Sequence, residues 1–241
     1  MARTRTTKLA RIVAGLRAHY GRVAPPPASN AFELVLWEKV AYLATDERRA
    51  QAFAALRQRV GLTPRAILDA DPAVLREIAA MGGGVAIAER AAHMCDAANL
   101  VIKEFGGSLD SVLSLPLRDA KRELRRFHGV GEPGAEKILL LTRSQMLLPL
   151  DSNGARTLLR LGYGAAHRNY ATMYANVGEA ARPELVMEFD WLIDGHVLLR
   201  HHGQELCKRS EPRCDFCPVR EECAYDQTRR EPMNRTARPH R

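Results

Sequence analysis

Apolar positions along the chain recur mostly at spacings of three and four, which is typical of amphipathic helices. One such stripe extends from Thr7 to Tyr20 and stops before three consecutive prolines at 25–27. A second stripe, starting at about Phe32 and including Leu43, predicts another helix. Further helices are predicted over residues 47–60, 72–81, 88–105 and 119–127. Because alternation of the strand type does not recur, we predict an all-α protein.

Composition and charge add a partner to this picture. The 241 residues are 46% hydrophobic and 27% charged, which suits one large or two small globular domains and excludes a disordered chain. The net charge is +8, but residues 1–22 and 227–241 together carry +10, so the middle of the chain carries −2. Basic ends on a near-neutral body predict attraction to nucleic acid, and a solubilising tail is the plainer alternative.

The chain shows no sequence sign of a membrane or an export route. No run approaches the roughly 18 apolar residues of a membrane span, and the basic N-terminus lacks the apolar stretch of a signal peptide. We therefore expect a cytoplasmic protein, associated with the nucleoid if it is bacterial. Thiols stay reduced in such a compartment, so the five cysteines are not expected to form disulfides.

Four of the cysteines lie within seventeen residues and have the spacing C-x6-C-x2-C-x5-C. Four thiolates can hold tetrahedral zinc or an iron–sulfur cluster. Only one of the spacings is the short type usual in zinc knuckles, which favours the larger cluster but leaves zinc open. The candidate ligands are Cys207, Cys214, Cys217 and Cys223, whereas Cys95 lies alone in an alanine-rich helical stretch and reads as a buried hydrophobe.

A glycine turn follows the basic, amphipathic stretch that begins at residue 117. Its residues Gly129, Val130 and Gly131 precede Pro133 and an apolar helical run. The glycines leave the backbone uncovered, so successive N–H groups at the start of the next helix can hold a phosphate oxygen. An ordinary tight turn between helices is the alternative, since a G-x-G sequence alone is weak.

Asp151 lies between an apolar extended run and a helical pattern that starts directly after it. This position predicts a helix N-cap. A carboxylate at a helix N-terminus has its ionised form favoured, so the same residue can also stabilise a cationic sugar transition state or orient a water molecule.

Taken together, these motifs resemble the endonuclease III family of helix-hairpin-helix DNA glycosylases. The likeness covers about residues 32–225 and rests on the hairpin 129–131, on Asp151 twenty residues beyond it, and on the cysteine pattern with its lead-in His202-Gly203. The resemblance implies that the four cysteines bind a [4Fe-4S] cluster. The resemblance also makes the zinc alternative, in which the chain is a zinc-ribbon regulator, much weaker.

The resemblance also implies the domain organisation. Residues 28–147 would form a six-helix barrel domain that contains the helix-hairpin-helix motif. Residues 1–27 and 148–226 would form the iron–sulfur cluster domain, and 227–241 a basic, disordered tail. In this family the active site lies in the cleft between the two domains.

The activity that the resemblance implies is excision of a damaged or mismatched base from double-stranded DNA by a monomer. The nucleotide rotates out of the stack, and Asp151 stabilises the charge-separated state in which the N-glycosidic bond breaks. Family members that also cleave the strand carry a lysine two residues beyond the second hairpin glycine, but this chain has Pro133 there. We therefore expect a monofunctional enzyme, with Lys137 as the nearest substitute amine.

The expected DNA contacts lie in three places. The hairpin Gly129, Val130 and Gly131 would grip the backbone, and Lys208, Arg209 and Arg213 would face DNA from the loop between the first two cysteines. Leu43 stands where the family often has a glutamine that fills the gap left by the extruded base, so it is either an apolar wedge or a core residue. Three glycines at 82–84 predict an open or mobile pocket wall. The competing functional class is a non-catalytic iron–sulfur DNA-binding protein of the same fold.

Overall fold

The computed structural model describes residues 6–235, with side chains described up to residue 230. Helices account for its regular structure, and no strand occurs in this range. The prediction of an all-α fold is therefore confirmed. Arg3, Arg5 and residues 236–241, which contribute to the basic ends, lie outside the described residues. The helices are α1 (Lys8–Tyr20), α2 (Ala31–Val40), α3 (Asp46–Arg59), α4 (Pro64–Asp69), α5 (Pro72–Met81), α6 (Ile87–Phe105), α7 (Asp110–Leu113), α8 (Leu117–Leu124), α9 (Glu132–Leu141), α10 (Ser152–Arg160), α11 (Tyr170–Ala181), α12 (Phe189–Glu205) and α13 (Ala224–Arg235).

Short polar side chains determine where many of these helices begin. Thr7, Asn30, Thr45, Thr63 and Asp71 each accept a hydrogen bond from a backbone N–H of the first turn of α1 to α5, respectively. These N–H groups have no partner within the helix, so a side-chain oxygen that accepts from one of them stabilises the helix start. In α4 and α5, proline also occupies the first turn, where its missing N–H costs nothing.

The chain divides into two compact units, which we number in order of the chain. Of the described residues, unit 1 comprises 6–24 and 146–235, and unit 2 comprises 25–145. The domain limits expected from the sequence, 28 and 147, lie close to these boundaries.

Unit 2 contains α2 to α9, six of which have eight or more residues. The long helix α6 packs against α2, α4 and α5. Leu36, Phe53, Ile78 and Met94 are completely buried in the core that these helices share. Burial of this apolar surface supplies the main favourable term for folding the unit.

Unit 1 has its own core, formed where α12 packs against α1 and α10. Its C-terminal helix corrects one prediction, because residues 227–235 continue α13 instead of starting a disordered tail. Arg230 contributes to this continuation, since its guanidinium pairs with the buried Asp226 one turn earlier. Among the described residues, no helix is long and apolar enough to cross a membrane.

Candidate active site and nucleic-acid interface

The glycine turn of unit 2 joins α8 to α9 and forms a helix-hairpin-helix. Val130 anchors it, because its side chain is buried and its N–H donates to the carbonyl of Phe127 at 2.9 Å. Gly129 has a φ of 73° and needs to be glycine for that reason, whereas Gly131 has an ordinary φ of −82°. Gly131 is the N-cap of α9 and provides no side chain to cap it. The first N–H groups of α9 therefore lack a side-chain acceptor, as an anion site requires.

Basic groups lie directly beneath this turn. The Nζ atom of Lys39 is 3.7 Å from the point that a β-carbon of Gly129 would occupy. Burial lowers the pKa of Lys39 to about 8, so the ammonium form still predominates at neutral pH. The rings of His93 and His128 stack with their centroids 3.6 Å apart, and burial, followed by His128 and Lys39, lowers the pKa of His93. One ammonium group and two stacked imidazole rings therefore lie beside the turn.

The basic face of α8 is less available than its sequence suggests. Lys121 pairs with Glu132 and, at 3.1 Å, with Glu136, while Arg125 pairs with Glu132 at 3.3 Å. Arg122 pairs with Asp119 on its own helix. This arrangement favours the interpretation of a solvated, charge-paired face over that of a dedicated phosphate site.

Leu43 is not a core residue, because α2 ends at Val40, before the apolar stripe of the sequence reaches it. The Leu43 side chain is 79% exposed, and its backbone has a φ of 49°, in the left-handed region. Tyr42 beside it is also exposed. The structure therefore contradicts the core interpretation, and the role as a wedge remains a prediction.

Two of the three glycines at 82–84 lie close to another backbone segment, whereas Gly84 faces open space, and the mobility of this wall stays a prediction. A β-carbon on Gly82 would lie 2.0 Å from the carbonyl oxygen of Val40, and one on Gly83 would lie 2.9 Å from that of Tyr42. These two glycines thus permit two backbone segments to approach closely. The buried Arg90 joins the same segments, because its guanidinium donates to the carbonyls of Val40 and Gly83. The loop that follows α2 and carries Leu43 is consequently fixed by the segment 82–83 and by Arg90.

In unit 1, Asp151 is the N-cap of α10, as predicted. Its Oδ1 atom accepts from the backbone N–H groups of Asn153 at 3.0 Å and Gly154 at 2.8 Å. Its Oδ2 atom faces two side chains, Nε of Arg200 at 3.2 Å and Nδ2 of Asn153 at 3.4 Å. The Asp151 side chain is about one-third exposed, at 34%. One oxygen therefore fixes the helix, and the other is paired at the surface.

Two arginines on α10 organise the segment that contains the first cysteine. Arg156 donates to the carbonyls of Gly203 at 2.7 Å and Cys207 at 3.0 Å. Arg160 donates to the carbonyls of Cys207, Lys208 and Arg209, and lies over the ring of Tyr225. The sequence analysis did not predict that either arginine binds the backbone of this segment. The only signal for it is their spacing of four, which places both on one face of α10.

The four candidate ligands line one cavity of unit 1, with an empty volume of about 380 Å³ that opens partly to solvent. Burial raises the pKa of Cys217 to about 11 and also raises that of Cys223. Side-chain nitrogens lie near three of the sulfurs: Arg160 Nη1 is 3.4 Å from Cys207, Arg229 Nη1 is 3.3 Å from Cys214, and His202 Nε2 is 3.5 Å from Cys217. Across the described residues, no three His, Cys, Asp or Glu side chains are gathered closely enough to surround a single metal ion.

The predicted contact residues of the cysteine loop lie in different surroundings. Lys208 and Arg209 line a groove beside the start of α10, whereas Arg213 lies against the cavity of the cysteines. Cys95 belongs to unit 2, where it packs against the core, and burial raises its pKa. It is therefore not part of the group of four, as expected.

These features define the class of protein: an all-α chain of two units with a helix-hairpin-helix, an aspartate that caps a helix, and a cavity lined by four cysteines. Comparisons with known proteins agree with this class, although no family model matches. Endonuclease III of Sulfolobus acidocaldarius is 26% identical over 198 residues, which are 81% of this chain and 82% of that protein. The DNA glycosylase/AP lyase ROS1 of Arabidopsis thaliana is 27% identical over 74% of this chain but only 14% of its own length.

Solved structures show the same fold. A trapped endonuclease III–DNA covalent intermediate superposes with a TM-score of 0.72 and 18% identity, over 93% of this chain and 99% of that one. A thermostable thymine-DNA glycosylase gives a TM-score of 0.71 and 15% identity, over 92% and 97% of the two chains. The predicted resemblance to the endonuclease III family of helix-hairpin-helix proteins is therefore confirmed.

Proposed function

We propose that this protein is a DNA glycosylase of base excision repair that removes a damaged or mismatched base from duplex DNA. The single observation that carries the proposal is the carboxylate of Asp151, fixed as the N-cap of α10 within an endonuclease III-like fold. The relatives named endonuclease III and the structural neighbours bound to DNA support the general class. We also propose that it acts as a monomer.

Asp151 stabilises positive charge on the sugar in this proposal. As the N-glycosidic bond breaks, the bonding electrons leave with the base, which takes up a proton, and the sugar becomes oxocarbenium-like. A water molecule then adds to the sugar carbon and loses a proton. Two backbone N–H groups hold the carboxylate in one orientation, so the carboxylate itself does not have to turn to meet the developing charge.

We further propose that the enzyme is monofunctional. The lysine that forms a Schiff base in strand-cleaving relatives is replaced by Pro133, which has no amine to offer. Lys137, one turn further on, is only 19% exposed and pairs with Glu38 at 2.5 Å. A lysine that is largely buried and held in an ion pair is a poor nucleophile, because it must leave that contact before its amine can reach a sugar carbon.

The test of both proposals is a panel of duplexes, each carrying one lesion or mismatch, assayed for release of free base. We expect release from at least one duplex, with strands that stay intact until alkali is added. Borohydride should trap no covalent adduct. Efficient trapping would contradict the monofunctional assignment, and substitution of Lys137 and of Lys39, the buried amine beside the hairpin, would then identify the nucleophile.

The cavity of the four cysteines suits a cluster better than a single ion. Its sulfurs line a shared space and have arginine or histidine nitrogens beside them, which would stabilise the negative charge of cluster-bound thiolates. We propose that Cys207, Cys214, Cys217 and Cys223 hold a [4Fe-4S] cluster, whose chemistry is electron transfer or structural support. A brown protein with broad visible absorption is expected, whereas a colourless protein with stoichiometric zinc would contradict the proposal.

One observation favours a second candidate, a DNA-binding protein of the same fold without base excision. Both oxygens of Asp151 already have partners, and Arg200 places a positive charge where a cationic sugar would have to form. The lesion panel separates the candidates, because this one predicts tight binding to duplex DNA and no release of base from any substrate.

A further inference from the structure

The ion pair between Asp151 and Arg200 conflicts with the role that we propose for Asp151. The guanidinium Nε lies 3.2 Å from Oδ2, the oxygen that the helix cap does not use. At this distance a positive charge cancels much of the field that the carboxylate would direct at a cationic sugar. An arginine that stayed in this place during the reaction would oppose it.

The pair is also a poor stabilising device. The side chains of Arg200 and Asp151 are 31% and 34% exposed, and ion pairs at such positions contribute little to folding. A further contact of Arg200 is equally replaceable, since Nη1 donates to Oε1 of Gln204, one turn along α12. These two contacts can therefore be exchanged for others at small cost.

A basic groove adjoins the pair. It has an empty volume of about 1180 Å³ and begins at Ser152, the residue after Asp151. Arg156, Arg168, Lys208 and Arg209 line it, and no acidic side chain is among the described residues that do so. Gln204, the partner of Arg200, lines it as well. The groove therefore provides a site for a polyanion, and Gln204 connects it to Arg200 of the ion pair.

We propose that Arg200 exchanges partners when DNA binds. In the free protein its guanidinium pairs with Asp151, and in the complex it binds a phosphodiester of the strand that occupies the basic groove. The exchange removes the ion pair from Oδ2 of Asp151, which keeps only the long contact with Nδ2 of Asn153 and can face the sugar. The carboxylate of Asp151 is therefore without its arginine partner only when DNA is bound. The inference rests on the proposed function, and it makes Arg200 a positioning residue for that reaction.

A binding cycle on undamaged duplex tests the exchange without any chemistry. The proteins are the wild type, Asp151→Asn, Arg200→Gln and the double variant; asparagine still caps α10, so the fold is kept. In the wild type, Arg200 must give up Asp151 to reach phosphate, so its removal should cost only about twofold in affinity. In the Asp151→Asn background the arginine no longer has that ion pair to give up, so its removal should cost about tenfold. Costs that are equal in the two backgrounds would overturn the exchange.

The salt dependence of binding gives a second readout. One lost phosphate contact should flatten the slope of log affinity against log salt by about 0.9 when Arg200→Gln is made in the Asp151→Asn background. Arg59→Gln is the control, because Arg59 also pairs with a carboxylate of another helix, Glu77 of α5, at 2.6 Å and is partly exposed. The control should leave the slope unchanged. An equal change in both variants would show a general charge effect and would contradict the proposal.

Single-turnover excision at saturating lesion DNA completes the test. Arg200→Gln should keep the wild-type rate within about threefold. In the wild-type complex Arg200 has moved to phosphate, and in the variant complex it is absent, so Asp151 lacks the ion pair in both. A gain of tenfold or more with an unchanged salt slope would mean that Arg200 stays on Asp151 in the complex and opposes the reaction, and the exchange would be wrong. A loss of tenfold or more would mean that Arg200 serves the chemistry directly, which also contradicts the exchange. If no lesion releases a base but the binding cycle shows coupling, the proposed function fails and the exchange stands.

Discussion

Two helices of this protein begin in opposite ways. In unit 2, α9 starts at Gly131, which has no side chain to cap it, so the first N–H groups of the helix remain available to an anion. In unit 1, α10 starts at Asp151, whose carboxylate already fills the corresponding position and accepts two of those N–H groups. The same element therefore attracts negative charge in one unit and carries it in the other. One residue at the N-cap decides which.

The largest effect should come from removing the charge at the second helix. Asp151→Asn keeps the cap but loses the carboxylate, so base release should fall by about 10² or more, as it does when one electrostatic stabiliser is removed. Single-turnover rates on the best lesion of the panel measure this loss. Asp71→Asn, at the N-cap of α5, is the matched control and should leave the rate unchanged. A nearly wild-type rate for Asp151→Asn would remove Asp151 from the mechanism.

Making the first helix resemble the second should abolish its affinity for phosphate. Gly131→Asp would cap α9 with a carboxylate and repel the DNA backbone, so affinity for undamaged duplex should fall by about tenfold or more. Gly131→Ser adds a neutral cap at the same position and should cost less. Melting temperatures of both variants should equal or exceed that of the wild type. Equal binding by Gly131→Asp and the wild type would show that α9 does not bind phosphate.

The buried cation beneath the hairpin should make binding depend on pH. The pKa of Lys39 is about 8, so its charge is lost as the pH rises through 8, and affinity for duplex should fall about threefold between pH 7 and 9. Lys39→Met should show no such step. Fluorescence anisotropy at fixed ionic strength measures both, and an identical pH profile for the variant would exclude Lys39.

As the pH rises, the free energy of unfolding should increase, whereas the affinity for DNA falls. Between pH 8 and 10.5 the unfolded chain binds the lysine proton and the folded chain does not, so stability rises with pH across that window. At pH 7 both states are protonated, and burial of the charge costs up to about 3 kcal/mol. Denaturant unfolding of Lys39→Met should therefore give a higher free energy of unfolding at pH 7. A lower value would mean that Lys39 stabilises the fold.

The smallest effect concerns Leu43. Because its side chain is 79% exposed, Leu43→Ala should leave the melting temperature within about 1 °C while lowering base release a few-fold through loss of an apolar wedge. Leu36→Ala, at a completely buried position of α2, should instead destabilise unit 2 by about 2–5 kcal/mol. Substantial unfolding by Leu43→Ala would restore it to the core.

The sequence predicted those features that depend on local chemistry. The cap at Asp151, the turn at 129–131 and the helix over 72–81 follow from residue types within a few positions of one another, and the structure has all three. Two other features did not follow from the sequence: α2 ends at Val40, before Leu43, and Gly82 and Gly83 approach another backbone segment closely. An apolar stripe does not show where its helix stops, and glycine permits close packing as readily as mobility.

Contacts between distant residues were not accessible in this way. Arg200 lies 49 positions from Asp151, and Arg90 lies 50 from Val40. Nothing local to an arginine identifies its partner when the pair is formed by the packing of separate helices. A lysine within an apolar helical stretch, as at Lys39, is the one sign of an unusual environment that the sequence offered.

The arginines of α10 have a consequence for the entropy of DNA recognition. Arg156 and Arg160 between them hold the backbone carbonyls of Gly203, Cys207, Lys208 and Arg209. Fixing the backbone of one residue costs about 1–2 kcal/mol of conformational entropy. Because the fold itself orders this segment, the cost is met when the protein folds and does not recur at each encounter with a ligand. If Lys208 and Arg209 contact DNA as predicted, they do so from an already ordered backbone, and only their side chains remain to be ordered.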